Sequence, residues 1–186
     1  MTMTSRRTFP RFTRMLAAGL ALLLPLSATA GPEDWASPKA IVHALYEVIS
    51  ADAGEARDWD RYRALFFDDA RFAMAMDSKI ASGIMAMTSE EMVAQTEAAY
   101  GSTGFHEKAL VTQVEQLGLM ASVMSSFEVR LRRDDTEPLM RGLNHFQLLN
   151  DGERWWIISS VGVIESESSP LPAEFAAAAD AREVTP

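Results

Sequence analysis

Residues 105–164 read FHEKALVTQVEQLGLMASVMSSFEVRLRRDDTEPLMRGLNHFQLLNDGERWWIISSVGVI. Apolar and polar residues alternate along this stretch with a period of two, the pattern of strands that bury one face. Four long strands are predicted: Phe105–Leu117, Met120–Arg132, Leu139–Leu149 and Glu153–Ile164. Gly118, then Asp134-Asp135-Thr136-Glu137-Pro138, then Asn150-Asp151-Gly152 separate them. Links this short join antiparallel neighbours, so the stretch predicts a four-strand meander.

Upstream of the meander the period changes to that of helices. Ser37-Pro38 suits a helix start, with Ser as N-cap and Pro at the first helical position. Ile41, Val42, Leu45, Val48 and Ile49 then share one face. Trp59, Tyr62, Leu65 and Phe66 outline a second, two-turn helix opened near Asp58. Asp68-Asp69 predicts a turn, followed by short strands over Ala70–Met76 and Gly83–Met87. Thr88-Ser89-Glu90-Glu91 has capping-box spacing and opens a third helix reaching Tyr100. Helices first and strands afterwards predict an α+β layer, a long curved antiparallel sheet wrapped around three helices.

The chain has 186 residues, no cysteine and a formal net charge of −9. Disulfides, thiol nucleophiles and Cys-ligated metals are thereby excluded. An acidic chain is a poor partner for a polyanion, so no nucleic-acid role is expected. Residues 1–30 carry Arg6, Arg7, Arg11 and Arg14, the apolar run Met15–Leu26 and a small-residue end, Ala28-Thr29-Ala30. That is the order of a secretory signal peptide. Its apolar run is shorter than the roughly 20 residues a membrane span needs. Ser5-Arg6-Arg7-Thr8-Phe9 resembles the twin-arginine export signal, departing from it at Pro10. A periplasmic or secreted bacterial location is expected by either export route, with no membrane role after cleavage. Without those four arginines, 13 Lys plus Arg face 26 Asp plus Glu, a net −13. The expected organisation is a signal over 1–30, one domain over 31–164 and a polar tail over 165–186, holding at most a short helix.

The element order, with Asp60-Arg61-Tyr62-Arg63-Ala64-Leu65-Phe66-Phe67-Asp68-Asp69-Ala70-Arg71-Phe72 near its start, resembles the nuclear transport factor 2-like superfamily. The same superfamily includes SnoaL-like and ketosteroid-isomerase-like proteins. Arg141-Gly142-Leu143-Asn144-His145-Phe146-Gln147-Leu148 and Asp151-Gly152-Glu153-Arg154-Trp155-Trp156-Ile157 continue the resemblance, which covers roughly residues 38–164. It implies a cone-shaped α+β barrel with a pocket at its open end, often paired through the outer sheet face. In ketosteroid isomerases the base is an Asp five residues after the second Asp of the L-F-x-D-D-A stretch. Here that position is Met74, which cannot take a proton. The family's oxyanion-hole tyrosine corresponds to Tyr46, which without the base reads as pocket wall or packing.

Strand alternation selects further candidates. The even face of Leu139–Leu149 holds Met140, Gly142, Asn144, Phe146 and Leu148, where Asn144 is the lone strongly polar group. It is either a ligand partner or an amide satisfied within the barrel. A bulge at Gly142 would bring Arg141 to the pocket mouth, where it could hold a carboxylate. His106 and Glu107 open the first long strand on opposite faces, and His106 has the chemistry of a base near neutral pH. Trp59, Tyr62, Phe66, Phe127, Phe146 and Trp156 are candidate cavity or core aromatics. The last strand is apolar on both faces, with Trp155, Ile157, Val161 and Val163 opposing Trp156, Ile158 and Ile164; a homodimer or the tail would cover its outer side.

No metal-ligand spacing, phosphate loop or nucleophile elbow is present, so no metal or cofactor is expected. The candidate ligand-binding residues are Tyr46, Tyr62, His106, Arg141, Asn144 and Trp156. The leading expectation is an exported binder of a small apolar or aromatic molecule. The alternatives are an isomerase, hydratase or dehydratase with a non-standard base, His106 with Asn144, and a non-catalytic dimeric assembly module. If residues 1–30 are a cleaved signal, the intact mass of protein recovered from the periplasm should match a chain beginning at Gly31; retention of the leader would contradict it.

Overall fold

The computed structural model describes residues 31–77 and 82–176. The expected signal peptide, and the part of the expected tail helix beyond residue 176, lie outside the described residues. Helix α1 spans Pro38–Ile49, and the Ser37 hydroxyl accepts the Ala40 backbone N–H at 3.1 Å. Its stripe of Ile41, Val42, Leu45, Tyr46 and Val48 is buried. Helix α2, Trp59–Arg63, starts where Asp58 Oδ1 accepts the Arg61 N–H at 2.9 Å. Helix α3, Ser89–Tyr100, carries the capping box that the sequence predicts between Thr88 and Glu91.

Six strands form one sheet: β1 Phe66–Asp77, β2 Ser82–Thr88, β3 His106–Leu117, β4 Met120–Arg130, β5 Met140–Asn150 and β6 Trp155–Ile164. Their order is β2-β1-β6-β5-β4-β3. The meander from β3 to β6 is antiparallel throughout, and β1 crosses over to lie parallel to β6. The architecture is therefore the predicted α+β layer, a curved sheet around the helices that is antiparallel except for the β1–β6 pair. The sheet does not close: β2 and β3 are its edges, and the curved sheet leaves an open side, as expected for a cone with a pocket at its open end. Helix α1 packs across β3, β4 and β6, while α3 packs on β1 and β2.

Three local expectations change. Asp68-Asp69 is not a turn before a strand; both lie inside β1, where the register breaks between Phe66 and Arg71 and Asp69 takes φ 64°. A short polar side chain tolerates that left-handed backbone, which bends the strand without ending it. Gly142 carries no bulge, because Phe127–Gly142 and Glu128–Arg141 continue the β4–β5 register. The glycine serves close approach instead: a Cβ there would collide with the Val163 carbonyl and the Phe127 ring. In β6, Ile158 is an extra residue between the pairs Leu148–Ile157 and Gln147–Ser159. It shifts the phase of alternation, so Trp155 and Ile157 face the helices while Val161 faces outward.

The tail is also less detached than its composition suggests. Phe175 is buried, and its carbonyl accepts the Ser126 hydroxyl at 2.7 Å, so residues 165–176 fold back against the outer face of β4. Arg154 ties the N-terminal segment to β6: its guanidinium sits between the Trp35 and Trp156 rings, 3.6 and 3.7 Å from their centroids. Among the described residues, no helix is long and apolar enough to cross a membrane. Gly142→Ala should destabilise the fold by about 1–3 kcal/mol through overpacking, read as a lower urea midpoint; an unchanged midpoint would contradict the close approach.

Candidate functional site

The concave side of the sheet does not fill. A cavity of about 260 Å³ remains between the helices and the strands. Leu45, Tyr46 and Ile49 of α1, Tyr62 of α2 and Met92, Thr96 and Tyr100 of α3 line it on one side. Phe127, Val129, Met140, Phe146 and Ile164 form the sheet side. Five methionines contribute to the wall, namely Met74, Met85, Met87, Met92 and Met140. Met74 and Met85 are direct cross-strand partners. Met74, the residue that the sequence resemblance sets against the ketosteroid-isomerase base, thus lies in the cavity wall.

Besides Gln95, Thr96 and Ser160, two polar features stand in this largely apolar wall. The first joins α1 to β5: Asn144 Nδ2 donates to the Tyr46 hydroxyl at 3.3 Å. The Tyr46 ring packs on Phe127 and Phe146 at centroid distances of 6.5 and 6.2 Å. Burial, and next the nearby Glu107 carboxyl, push the Tyr46 phenol well above its usual pKa. That phenol is a hydrogen-bonding group and not a phenolate at neutral pH. The Tyr62 hydroxyl is buried with no hydrogen-bond partner among the described residues, and burial raises its pKa as well.

The second feature is Glu107. Its backbone is fixed by Ser50, whose hydroxyl accepts the Glu107 N–H at 2.9 Å. Its side chain lies on the face of its cross-strand partner Val129, which pairs in turn with Met140. Both partners line the cavity. Among the described residues its carboxyl has no hydrogen-bond partner, and burial alone pushes its pKa up to about 8. A carboxyl in such a place is protonated at neutral pH and ionises near the top of the physiological range.

The candidate residues divide by strand face. Tyr46, Tyr62 and Asn144 meet at the cavity, whereas His106, Arg141 and Trp156 do not line it. His106 pairs with Arg130 on the opposite face of β3, and its Nε2 lies 2.9 Å from Asp52 Oδ1. It opens onto a polar surface depression with Arg57, Lys108, Arg130 and Arg133. Arg141 is exposed opposite Glu128, because the register is regular where a bulge was expected. Trp156 faces outward, donating to Asp151 Oδ2 at 2.7 Å and meeting the exposed Phe67 edge to face. Of the candidate aromatics, Trp59 and Phe66 pack beside the cavity rather than in its wall.

Glu107 was missed because strict alternation back from Leu117 sends it outward and His106 inward. Leu110 breaks that phase as an extra residue between the pairs Ala109–Phe127 and Val111–Ser126. The strand's first four residues are therefore reversed in face. No residue type in the stretch announces the bulge. Among the described residues no group of three or more His, Asp or Glu is placed to hold a metal ion.

No protein-family model matches the chain, and no curated protein matches it. Solved structures do. One is a protein of unknown function with a cystatin-like fold from Nostoc punctiforme, 14% identical over 70% of this chain and 95% of that chain, at a TM-score of 0.50. Nuclear transport factor 2-like proteins of unknown function from Silicibacter pomeroyi and Shewanella baltica are 18% and 16% identical. Each covers 70% of this chain, with 94% and 98% of the other chain and TM-scores of 0.49 and 0.47. At these identities the likeness concerns the fold alone.

The raised Glu107 pKa has a stability consequence. Unfolded, the carboxyl ionises near its ordinary value; folded, it holds its proton up to about pH 8. The folded state therefore binds more protons between about pH 4.5 and pH 8, and stability falls as pH rises through that window. Glu107→Gln removes this dependence. The variant should gain on the parent across that window, by at most about 1.4 kcal/mol per pH unit, in parallel urea titrations. Parallel curves would show that Glu107 is not held in the apolar wall.

Proposed function

We propose that this protein is an exported small-molecule-binding domain that holds an apolar or aromatic ligand in the cavity between helices and sheet. The observation that carries the reading is the cavity itself, about 260 Å³ of unfilled space with an almost wholly apolar wall. Small-molecule sites usually enclose about 300–1,000 Å³, so the ligand belongs to the small end of that range. The methionines suit such a site, because unbranched thioethers adapt to a guest's outline and contact aromatic rings favourably. Tyr46, Asn144 and Glu107 are the polar groups that would orient the guest.

Export rests on the sequence pattern of residues 1–30. Pairing of two copies through the outer sheet face is part of the same proposal. It is supported by the exposed Met120, Leu149 and Val161 on that face, which the described part of the tail leaves uncovered. Apolar side chains in cross-strand register, such as Met120 with Leu149, make a contiguous surface of the kind that partners cover.

One observation favours a second reading. An unpartnered carboxyl with a pKa of about 8 beside an apolar cavity has the properties of a general acid or base. Proton transfer by Glu107, in an isomerase, hydratase or dehydratase, replaces the His106 chemistry that the sequence suggests.

Native mass spectrometry of the mature chain from its own periplasm tests the proposal. The expected result is a dimer carrying a small-molecule adduct, with the adduct lost in Ala99→Trp, which places a large ring at the cavity wall. A ligand-free chain that also fails to bind an apolar fluorescent probe would overturn the ligand-binding reading.

A further inference from the structure

The ionisable groups around the cavity are unevenly distributed. From the helices come only phenols: Tyr46 of α1, Tyr62 of α2 and Tyr100 of α3. From the sheet comes one carboxyl, Glu107. Among the described residues no Lys, Arg or His lines the cavity. The cationic groups nearest in sequence, His106 and Lys108, lie on the opposite face of β3; with Arg57, Arg61, Arg130 and Arg133 they surround a surface depression that Glu107 also borders. Within the cavity itself, among the described residues, no cation faces Glu107, whose backbone is held by Ser50. The surrounding rings, Tyr46, Phe127 and Phe146, present π-faces and edges to the same space.

We propose that the cavity takes an apolar amine, its ammonium seated against the Glu107 carboxylate and its body against the aromatic and methionine wall. This inference rests on the ligand-binding reading above and adds the chemical class of the guest. An anionic guest would meet a carboxyl and no compensating cation, at a large desolvation cost. A neutral guest would gain burial alone, or one hydrogen bond from the protonated acid. An ammonium would gain a charge-assisted hydrogen bond in a low-dielectric site, together with attraction to the ring faces. The long-range field points the same way, since the chain without residues 1–30 carries a net −13 and attracts cations.

The proton balance of the complex is definite. At pH 7 the free amine is charged and Glu107 holds its proton; in the complex one proton lies between the two groups, so binding releases one proton to solvent. Amine affinity should therefore climb with pH, by about tenfold per unit from pH 6 to pH 8, and level off between there and the amine's own pKa. Burial holds the Tyr46 and Tyr62 phenols above their ordinary value, so they stay protonated across this range and do not contribute to the slope.

The test is calorimetric titration of residues 31–186 with three probes of similar outline: phenethylamine, phenethyl alcohol and phenylacetate. At pH 8 the amine should bind at least about tenfold more tightly than the alcohol, and phenylacetate should not bind. Glu107→Gln, which keeps the side-chain shape, should abolish the preference for the amine and the pH slope while leaving the alcohol's affinity within about twofold. Equal binding of amine and alcohol, or a preference that survives Glu107→Gln, would overturn the inference while the alcohol's binding upheld the cavity reading. Failure of all three probes would overturn both.

Discussion

A single extra residue in β3, Leu110, sets which side chains of the strand's first half face the helices. Downstream of it the strand keeps the phase fixed by the Leu117–Met120 turn, with the two turn-flanking residues pointing outward. Upstream the phase is inverted, so that Ala109 and Glu107 point into the trough and His106 points away. The inversion is stabilised from both sides. Ser126 Oγ accepts the Val111 N–H at 3.2 Å, and Ser50 brackets the Glu107 backbone from α1's C-terminal cap. The character of the site depends on this one residue: with a regular strand the cavity would hold an imidazole, and with the bulge it holds a carboxyl.

Tyr46 completes the arrangement from the helical side. Its ring sets the spacing between α1 and the sheet by packing on Phe127 and Phe146, and its hydroxyl meets the lone amide of β5. Asn144 is thus satisfied by a helix side chain, one that also joins the two layers. The Gly142 and Gly162 backbones make room for the Phe127 ring and the Asn144 amide respectively. Close packing at this seam and open space beside it are compatible, because the seam is built from rings and glycines while five methionines share the cavity wall with those rings. The half-buried Glu107 carboxyl beside such a wall is largely desolvated, which is what raises its pKa.

Several parts of this protein are legible in the residues themselves because their causes are local. Ser37-Pro38, Asp58 and the Thr88–Glu91 box start helices through hydrogen bonds to residues three positions away. Asn144 can be read as inward-facing because β5 runs in regular register past it, opposite Ser125. Arg141 and Trp156 are misplaced by the same reasoning, for opposite causes. Arg141 needs an irregularity that Gly142 does not supply, whereas the face of β6 changes at an irregularity, Ile158, that no turn residue marks. The tail misleads through composition: its buried Phe175, with bonds from Glu165 to Arg141 and from Ser168 to Asp77, docks it on the sheet.

The sequence by itself determined the layers, the order of elements, the antiparallel meander and the absence of cysteine chemistry. Each follows from periodicity, caps and composition, which act over a few residues. Only the tertiary structure decided the phase of β3 and β6, the open edge between β2 and β3, and the choice of Glu107 over His106. Those outcomes depend on where two distant strands pair, and one unpaired residue exchanges the buried and exposed faces of every side chain on one side of it.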